Sequence, residues 1–426
     1  MVKYSFMKRV FYLLLLIPFV AESQALQQLT LSEAQQMAAA NFPLIKQRQL
    51  IQQTAQLTIE NLQKGFLPQV NVSGQATYQS EVTSLPIKIP TINIEAPSKD
   101  QYKIVTDVSQ LIYDGGAIAY QSKLQHLNAL VEEERIEVEL QKLRERINQL
   151  YLGVLLTDEQ VKQISIVSTD LLAGIKRVEG QVQNGTALRS NLAILQAEQL
   201  KNEQRRIELR ASRKGLLDVL SLFINNPILP EAVLQIPSVA MPSADLSARS
   251  EMRLFQLQDS LLGSQQEFIS IKNKPRVSLF GQGGYGRPGL NFLKNDFEFF
   301  ALGGIRVSWM LGNLYTSRRE KELVNINRRT IDVQKENFVL NINATLQQQQ
   351  SEINKMQELV AIDEQIIQLR EQVKQSASAQ LQNGVITASD FVREVNAAEA
   401  ARQSLVLHLL QLLQAKINYI TTTGNK

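Results

Sequence analysis

The sequence predicts a mainly α-helical protein that also contains β-strands and is built from two internal repeats. Two long segments of equal length, 114–185 and 313–384, carry apolar residues at alternating steps of three and four, which is the pattern of a coiled-coil seam. Runs of alternating apolar and polar residues precede each segment, and a period of two is typical of strands with one buried face.

The first long segment begins at the breaker Asp114-Gly115-Gly116 and ends at Asn184-Gly185. Its seam consists of these residues: Ile136, Leu140, Leu143, Ile147, Leu150, Val154, Val161, Ile164, Leu171, Ile175, Val178 and Val182. A helix of about 65 residues is roughly 100 Å long, which is too long to bury its apolar stripe within one small core. We therefore expect other long helices beside it.

The second long segment has a similar seam and also ends on Asn-Gly, at Asn383-Gly384. Pro68 and Pro275 each precede a strand-like run, and the two halves align with one change of length, which falls in a predicted loop. We interpret this pattern as an internal duplication. The predicted segments are a first repeat at 26–226 (helix, β-hairpin 68–113, helical hairpin 115–225), a connector at 227–247, and a second repeat at 248–426 (helix, β-hairpin 275–310, helical hairpin 313–424).

Residues 1–25 have the pattern of a secretory signal peptide. Lys3, Lys8 and Arg9 precede an apolar run, and Ser23-Gln24-Ala25 fits a small-x-small cleavage site. The alternative is an N-terminal membrane anchor, which a run of about 12 apolar residues disfavours because a spanning helix needs about 20. The chain has no cysteine, so the sequence predicts neither disulfides nor a lipid-bearing cysteine.

The charges are nearly balanced, with a formal net charge of +4, which disfavours a basic face for nucleic acid. The two histidines, His126 and His408, lie far apart with no ligand cluster around them, and we interpret both as solvated or packed helix residues. No nucleophile triad, catalytic carboxylate pair, phosphate loop or metal-ligand spacing is recognisable. The sequence therefore predicts no enzyme and no cofactor.

The run 69–79 alternates strictly between apolar and polar residues, and about eleven residues is the length that a tilted strand needs to cross a bilayer. A proline-rich loop at 81–100 separates it from a return strand at 102–112. The polar face of this hairpin includes the following residues: Asn71, Ser73, Gln75, Thr77, Lys103 and Asp107. If the strands span a membrane, this face lines the lumen of a barrel.

A second hairpin follows in the repeat, with strands at 277–285 and 297–309 around the turn 286–289. Aromatic residues fall near strand ends, where a membrane barrel has its aromatic girdles: Tyr78, Tyr102, Tyr285, Phe297 and Trp309. Four strands cannot close a membrane barrel, because open edges leave backbone groups unpaired in lipid. Three copies would supply twelve strands. The alternative is a soluble sandwich, or a hairpin that lies on a helical body.

The chain resembles the TolC-type outer-membrane efflux proteins over essentially its whole length after the signal. The matching motifs occur in this order: Leu29-Thr30-Leu31-Ser32-Glu33-Ala34, Leu67-Pro68-Gln69-Val70, Ser109-Gln110-Leu111-Ile112-Tyr113-Asp114-Gly115-Gly116, Gly283-Gly284-Tyr285-Gly286-Arg287-Pro288-Gly289, Val307-Ser308-Trp309 and Asn383-Gly384-Val385-Ile386-Thr387-Ala388-Ser389-Asp390. Each motif is weak alone, but their order and matched spacing are specific. The resemblance implies a homotrimer in the outer membrane, in which a transmembrane barrel of twelve strands surrounded by lipid continues into a long periplasmic α-helical barrel.

The resemblance also implies partners and sites. A periplasmic adaptor would dock at the helix tips: Asn184, Gly185, Thr186, Ala187, Leu188, Asn383, Gly384, Val385, Ile386 and Thr387. An inner-membrane pump of the RND, ABC or MFS type would supply the energy. Asp390 matches an acidic ring that constricts the tunnel in the family, whereas Arg393 and Asn191 stand where further acids are often found. This departure argues against strong cation binding at the aperture.

The function that the resemblance implies is a passive exit duct for efflux or type I secretion, gated at the periplasmic helix tips. Two alternatives remain open: a periplasmic adaptor, which would have one helical hairpin flanked by lipoyl-like segments, and a structural coiled coil without a membrane barrel. The transported substrate does not follow from the sequence.

Overall fold

The computed structural model of the chain describes residues 26–82, 97–239, 246–292 and 294–424. The predicted signal peptide and most of the predicted proline-rich loop lie outside the described residues. The described part is mostly helical. No helix in it has an apolar stretch of the length that is needed to span a membrane.

The elements follow one another in a similar order in both halves of the chain. The first half contains β1 (Leu26–Leu29), α1 (Leu31–Asn41), α2 (Pro43–Gln63), β2 (Gln69–Tyr78), β3 (Asp100–Tyr113), α3 (Ala117–Gln183) and α4 (Arg189–Ile224). The second half contains β4 (Ile228–Leu234), α5 (Ser250–Ile271), β5 (Arg276–Arg287), β6 (Glu298–Ser308), α6 (Asn313–Gln382) and α7 (Ala388–Thr423). The paired strands are thus followed by a helix of 67 or 70 residues and then by a helix of 36 residues.

The predicted first helix is divided into two. Thr30 caps α1, because its side chain accepts a hydrogen bond from the backbone N–H of Glu33 and the Glu33 carboxylate accepts one from the Thr30 backbone. The helix ends at Asn41, and Phe42 is extended with ψ of 126°. A proline disfavours the helical conformation in the residue before it, so Pro43 starts a new helix. The prediction of one continuous helix is wrong at this point.

By their internal contacts, the residues form two compact units, each made of pieces from both halves. Unit 1 comprises Met1–Pro43, Leu140–Ala244 and Ala344–Lys426, and unit 2 comprises Leu44–Glu139 and Asp245–Asn343. Both long helices, α3 and α6, contribute residues to each unit.

Unit 2 contains a four-stranded antiparallel sheet with the order β2-β3-β5-β6. Strands β2 and β3 pair from Gln69 opposite Ser109 to Tyr78 opposite Asp100. The central pairing, between β3 and β5, joins strands from different halves of the chain. Because residues directly opposite each other share one face of a sheet, these registers determine which side chains lie together.

Unit 1 contains a second, two-stranded sheet in which β1 pairs in parallel with β4. The connector predicted at 227–247 therefore includes a strand that the sequence analysis missed. Tyr151 fixes the ends of this pair, since its hydroxyl Oη lies 2.7 Å from the carbonyl oxygens of both Leu29 and Gln235. Burial raises the pKa of the Tyr151 phenol, so the group stays protonated as a hydrogen-bond donor.

Candidate functional site

Each long helix ends in a turn of the same geometry. After α3, the N–H groups of Gly185 and Thr186 bond to the carbonyls of Val182 and Gln181 at 3.1 and 2.8 Å. After α6, the N–H groups of Gly384 and Val385 make the equivalent bonds, at 3.1 and 2.9 Å. This is the Schellman motif, and it requires a left-handed residue. The two glycines satisfy that requirement with φ of 74° and 72°.

The starts of the following helices differ. Leu188 precedes α4 without a side-chain cap, whereas Thr387 caps α7 in a capping box with Asp390. The Asp390 Oδ2 atom accepts hydrogen bonds from the Thr387 hydroxyl at 2.7 Å and from the Thr387 backbone N–H at 3.1 Å. These bonds, together with the nearby Arg393 guanidinium, lower the pKa of Asp390. The carboxylate predicted to line an aperture is therefore engaged as a helix cap.

Asp390 and Arg393 lie in one groove of unit 1, with a volume of about 640 Å³. Arg393 pairs with Asp390 at 3.4 Å and with Glu394 at 3.3 Å, and Glu394 also lies 3.7 Å from Arg370. The groove is further lined by these residues: Gln372, Val373, Ser376, Ala377, Gln380 and Ile386. Glu394 was not predicted as a site residue, although its position four residues after Asp390 places it on the same helix face. Asn191 is not among the lining residues.

An apolar core holds the two helical hairpins together close to the turns. It contains buried residues from all four helices: Val167, Leu171, Val178, Leu195, Ala377, Leu381, Ala388, Phe391 and Val395. The packing is tight, since a Cβ atom added at Gly174 would lie 3.1 Å from the Phe391 ring. Polar bonds reinforce it, because the Gln181 side chain donates to the carbonyls of Leu381 and Gln382 at 3.3 Å.

Further from the turns, a charged cluster joins three helices. The ammonium of Lys374 on α6 lies 2.8 Å from Asp170 on α3 and 2.9 Å from Glu371. Glu371 also pairs with Arg402 on α7. Lys374 is 8 % exposed, and it occupies a seam position between Ile367 and Leu381 where the heptad pattern predicts an apolar residue. The heptad pattern of the sequence does not predict this cluster.

His408 belongs to a second polar contact in the same unit. Its Nδ1 atom lies 2.5 Å from the carboxylate of the buried Asp363, so α6 and α7 also meet through this pair. Among the described residues, no cluster of metal-ligating side chains is present.

The sheet of unit 2 separates polar from apolar side chains. Its register places Asn71 opposite Asp107 and Gln75 opposite Lys103. The six predicted lumen residues therefore lie on one face of the sheet, which we call the polar face. Asp107 accepts a hydrogen bond of 2.7 Å from Gln282 on β5. The structure adds Phe280 and Phe300 to this face, each directly opposite a glycine of the neighbouring strand.

The other face is apolar and open. Val70, Val72 and Ile104 are more than 60 % exposed, and Phe299 is 86 % exposed. At the end of the sheet away from the helices, the aromatic rings of Tyr285 and Phe299 lie 4.6 Å apart, and Tyr285 and Phe297 lie 5.6 Å apart. At the opposite end, the indole N–H of Trp309 donates to the Asn273 carbonyl at 2.8 Å.

Solved structures of the same architecture are known. CusC, for which transmembrane channel formation is described, superposes with a TM-score of 0.70 at 15 % identity, covering 93 % of this chain and 92 % of that one. The outer membrane protein VceC from Vibrio cholerae gives 0.60 at 14 % identity, covering 93 % and 96 %. The outer membrane channel CmeC from Campylobacter jejuni gives 0.66 at 13 % identity, covering 92 % and 85 %. This chain has the TolC-type fold.

The TolC-type fold is thus established by structure rather than by sequence. No protein-family model and no curated protein sequence matches the chain. The predicted resemblance to TolC-type channels is confirmed at the level of the fold. The two Schellman turns contain the residues that the sequence predicts as docking tips, and Leu188 and Val385 are strongly exposed beside them.

Proposed function

We propose that three copies of this chain form an exit channel of the outer membrane. The observation that carries the proposal is the sheet of unit 2, which has an exposed apolar face, a polar face and two outer strands, β2 and β6. Strands with unpaired edges are not stable in lipid. Pairing of β6 with β2 of the next copy removes every edge and gives a closed barrel of twelve strands.

The dimensions of the sheet support this arrangement. A strand of ten residues is about 33 Å long, and a tilt of about 40° reduces its height to roughly 25 Å, the height of the apolar band of outer-membrane barrels. The aromatic cluster at one end of the sheet and Trp309 at the other end then lie at the two lipid interfaces. The polar face, with Asn71, Ser73 and Gln75, lines the lumen.

The helices of unit 1 also have exposed apolar surfaces that a second copy of the chain could cover. Besides its buried seam, α6 has a stripe of exposed apolar residues, Ile362, Ile366, Leu369 and Val373, and α4 has Leu200 and Ile207. A helix with apolar seams on two sides fits a ring of helices better than a single bundle. We infer that these stripes are covered between subunits and that the helices form the periplasmic tunnel.

The proposed mechanism is passive conduction. An inner-membrane pump of the RND, ABC or MFS type supplies energy, and a periplasmic adaptor docks at the tips. Because both turns have the same Schellman geometry, each subunit presents two similar docking surfaces. Tip opening separates the hairpins that the apolar core and the Lys374 cluster hold together, with Asp390, Arg393 and Asn191 near the aperture.

A pair of adjacent substitutions tests the membrane assignment. Val72→Arg places a charge on the apolar face, where an arginine at mid-membrane costs about 2–4 kcal/mol, whereas Ser73→Arg places it in the lumen. We expect Val72→Arg to reduce the amount of trimer in the outer-membrane fraction and Ser73→Arg to leave it near the wild-type level. Equal amounts of both variants would contradict the proposal.

The absence of cysteine from the chain allows a clean test of gating. Cysteines introduced at Asn191 and Asp390 of neighbouring subunits, once cross-linked, should stop export, and reduction should restore it. Single-cysteine variants are the control. Export that continues through fully cross-linked trimers would rule out a gate at the tips.

A further inference from the structure

Two arginines lie together on the polar face, at the end of β5 and β6 that adjoins the helices. Arg276 is directly opposite Ser308, and Ser278 is directly opposite Arg306. Since alternate residues of a strand share a face, these four side chains form one group with Phe280, which is next on the same face of β5. We call this group, Arg276, Ser278, Phe280, Arg306 and Ser308, the arginine patch.

Phe280 orients one of the two arginines. The Arg306 guanidinium lies 4.6 Å from the centroid of the Phe280 ring. The ring itself is held over Gly304, because a Cβ atom added at that glycine would lie 3.1 Å from it. A guanidinium held on an aromatic face loses little conformational freedom on binding a ligand and keeps its N–H donors available.

Among the described residues, no acidic side chain neutralises the patch. Both arginines are exposed, and the ion pairs seen in the described part of the chain involve neither of them. Asp107, the acidic residue beyond Phe280 on this face, already accepts a hydrogen bond from Gln282. Two guanidinium groups and two serine hydroxyls therefore remain free to bind an anion.

We propose that the arginine patch binds organic anions, and that it selects among the solutes that pass through the barrel. The guanidinium groups would bind a carboxylate, sulfonate or phosphate through paired hydrogen bonds, and Phe280 would contact an aromatic or apolar body of the same molecule. This inference rests on the proposed function, in which three copies place six such arginines around the lumen.

The test uses the purified full-length trimer in detergent and a tetrasulfonated pyrene as a fluorescent probe, with binding followed by anisotropy. Hydrogen bonds to a charged group are stronger than those between neutral groups, so Arg306→Gln should weaken binding by about tenfold or more. Arg276→Gln should act in the same direction, and Arg306→Lys should retain measurable binding. Because the assay measures binding, it is independent of whether the periplasmic tips are open.

Arg287→Gln is the matched control, because Arg287 lies on the same strand but on the opposite face and pairs with Asp100. It should bind the probe like the wild type. Wild-type affinity in Arg306→Gln, or an equal loss in Arg287→Gln, overturns the proposal. Fractionation of cells that express the same chains separates the two hypotheses: trimers in the outer-membrane fraction without patch-dependent binding refute the patch alone, and a wild-type chain that does not reach the outer-membrane fraction refutes the channel.

Discussion

The Lys374 cluster gives the most direct test of what keeps the helical hairpins together. Lys374→Met removes the ammonium group but preserves most of the volume of the side chain. Asp170 and Glu371 are then left without this partner at 2.8 and 2.9 Å. Breaking a fully buried pair costs about 3–5 kcal/mol. The two carboxylates here are 31 % and 29 % exposed, so water replaces part of the interaction and we expect a cost of about 2 kcal/mol.

The lost interaction energy should affect any process in which α3 and α6 separate. If tip opening breaks these contacts, about 2 kcal/mol shifts the closed–open equilibrium towards the open state by about thirtyfold. The measurement is the open probability of single channels in planar bilayers, together with the thermal unfolding midpoint of the trimer. We expect a higher open probability and a lower midpoint.

Lys355→Met is the matched control on the same helix. Lys355 pairs with Glu352 at 2.6 Å, but both side chains are roughly half exposed, and such surface pairs contribute about 0–1 kcal/mol. If the two variants open equally often, the cluster does not restrain the tips. If Lys374→Met lowers the unfolding midpoint without changing the open probability, the cluster stabilises the fold but not the closed state.

Three further predictions concern unit 1. Phe391→Ala should lower the free energy of unfolding by about 3–5 kcal/mol in thermal or denaturant melts, because the ring fills the apolar core beside Gly174. Thr387→Ala should lower the free energy of unfolding by about 1 kcal/mol at neutral pH, because it removes the helix cap. The pKa of Asp390 is lowered from its ordinary value of 3.8, so the capping box of Thr387 and Asp390 stabilises the folded state above that pH. The difference in stability between Thr387→Ala and the wild type should therefore shrink as the pH falls below 3.8. Tyr151→Phe should lower the free energy of unfolding by about 1–2 kcal/mol, because it removes the buried hydroxyl. Above pH 10 the Tyr151 phenol ionises in the unfolded chain but not in the folded one, where burial raises its pKa. The wild type should therefore lose stability above pH 10, and Tyr151→Phe should remove this contribution of Tyr151 to the loss.

The long helices and the faces of the strands could be predicted from the sequence because their signals are local and repeated. The Asn-Gly pairs marked both helix ends, since a glycine in the left-handed conformation follows the last helical turn. The alternation at 69–79 assigned Asn71 and Ser73 to the polar face of the first hairpin. In both cases, neighbouring residues contained the information.

The features that the sequence analysis missed depend on partners that are distant in the chain. Strand β1 has only four residues, and its partner β4 follows about two hundred positions later. Lys374 interrupts an apolar seam, and the reason is Asp170, which lies 204 positions away. The arginine patch also requires the register of β5 against β6, because spacing alone does not show that Arg276 and Arg306 are neighbours.

The two hairpin tips have the same backbone geometry but different chemistry, and this difference constrains how the proposed aperture could work. Both turns are Schellman motifs, so in the proposed channel an adaptor would meet two similar shapes on each subunit. Only the second carries a capping carboxylate, and that carboxylate is bound by Thr387 and Arg393. In the proposed trimer, a ring that repeats the shape six times would therefore repeat this charge only three times. In the proposed channel, recognition of the tips can follow the shape, whereas the capping carboxylate at the aperture comes from the second hairpin.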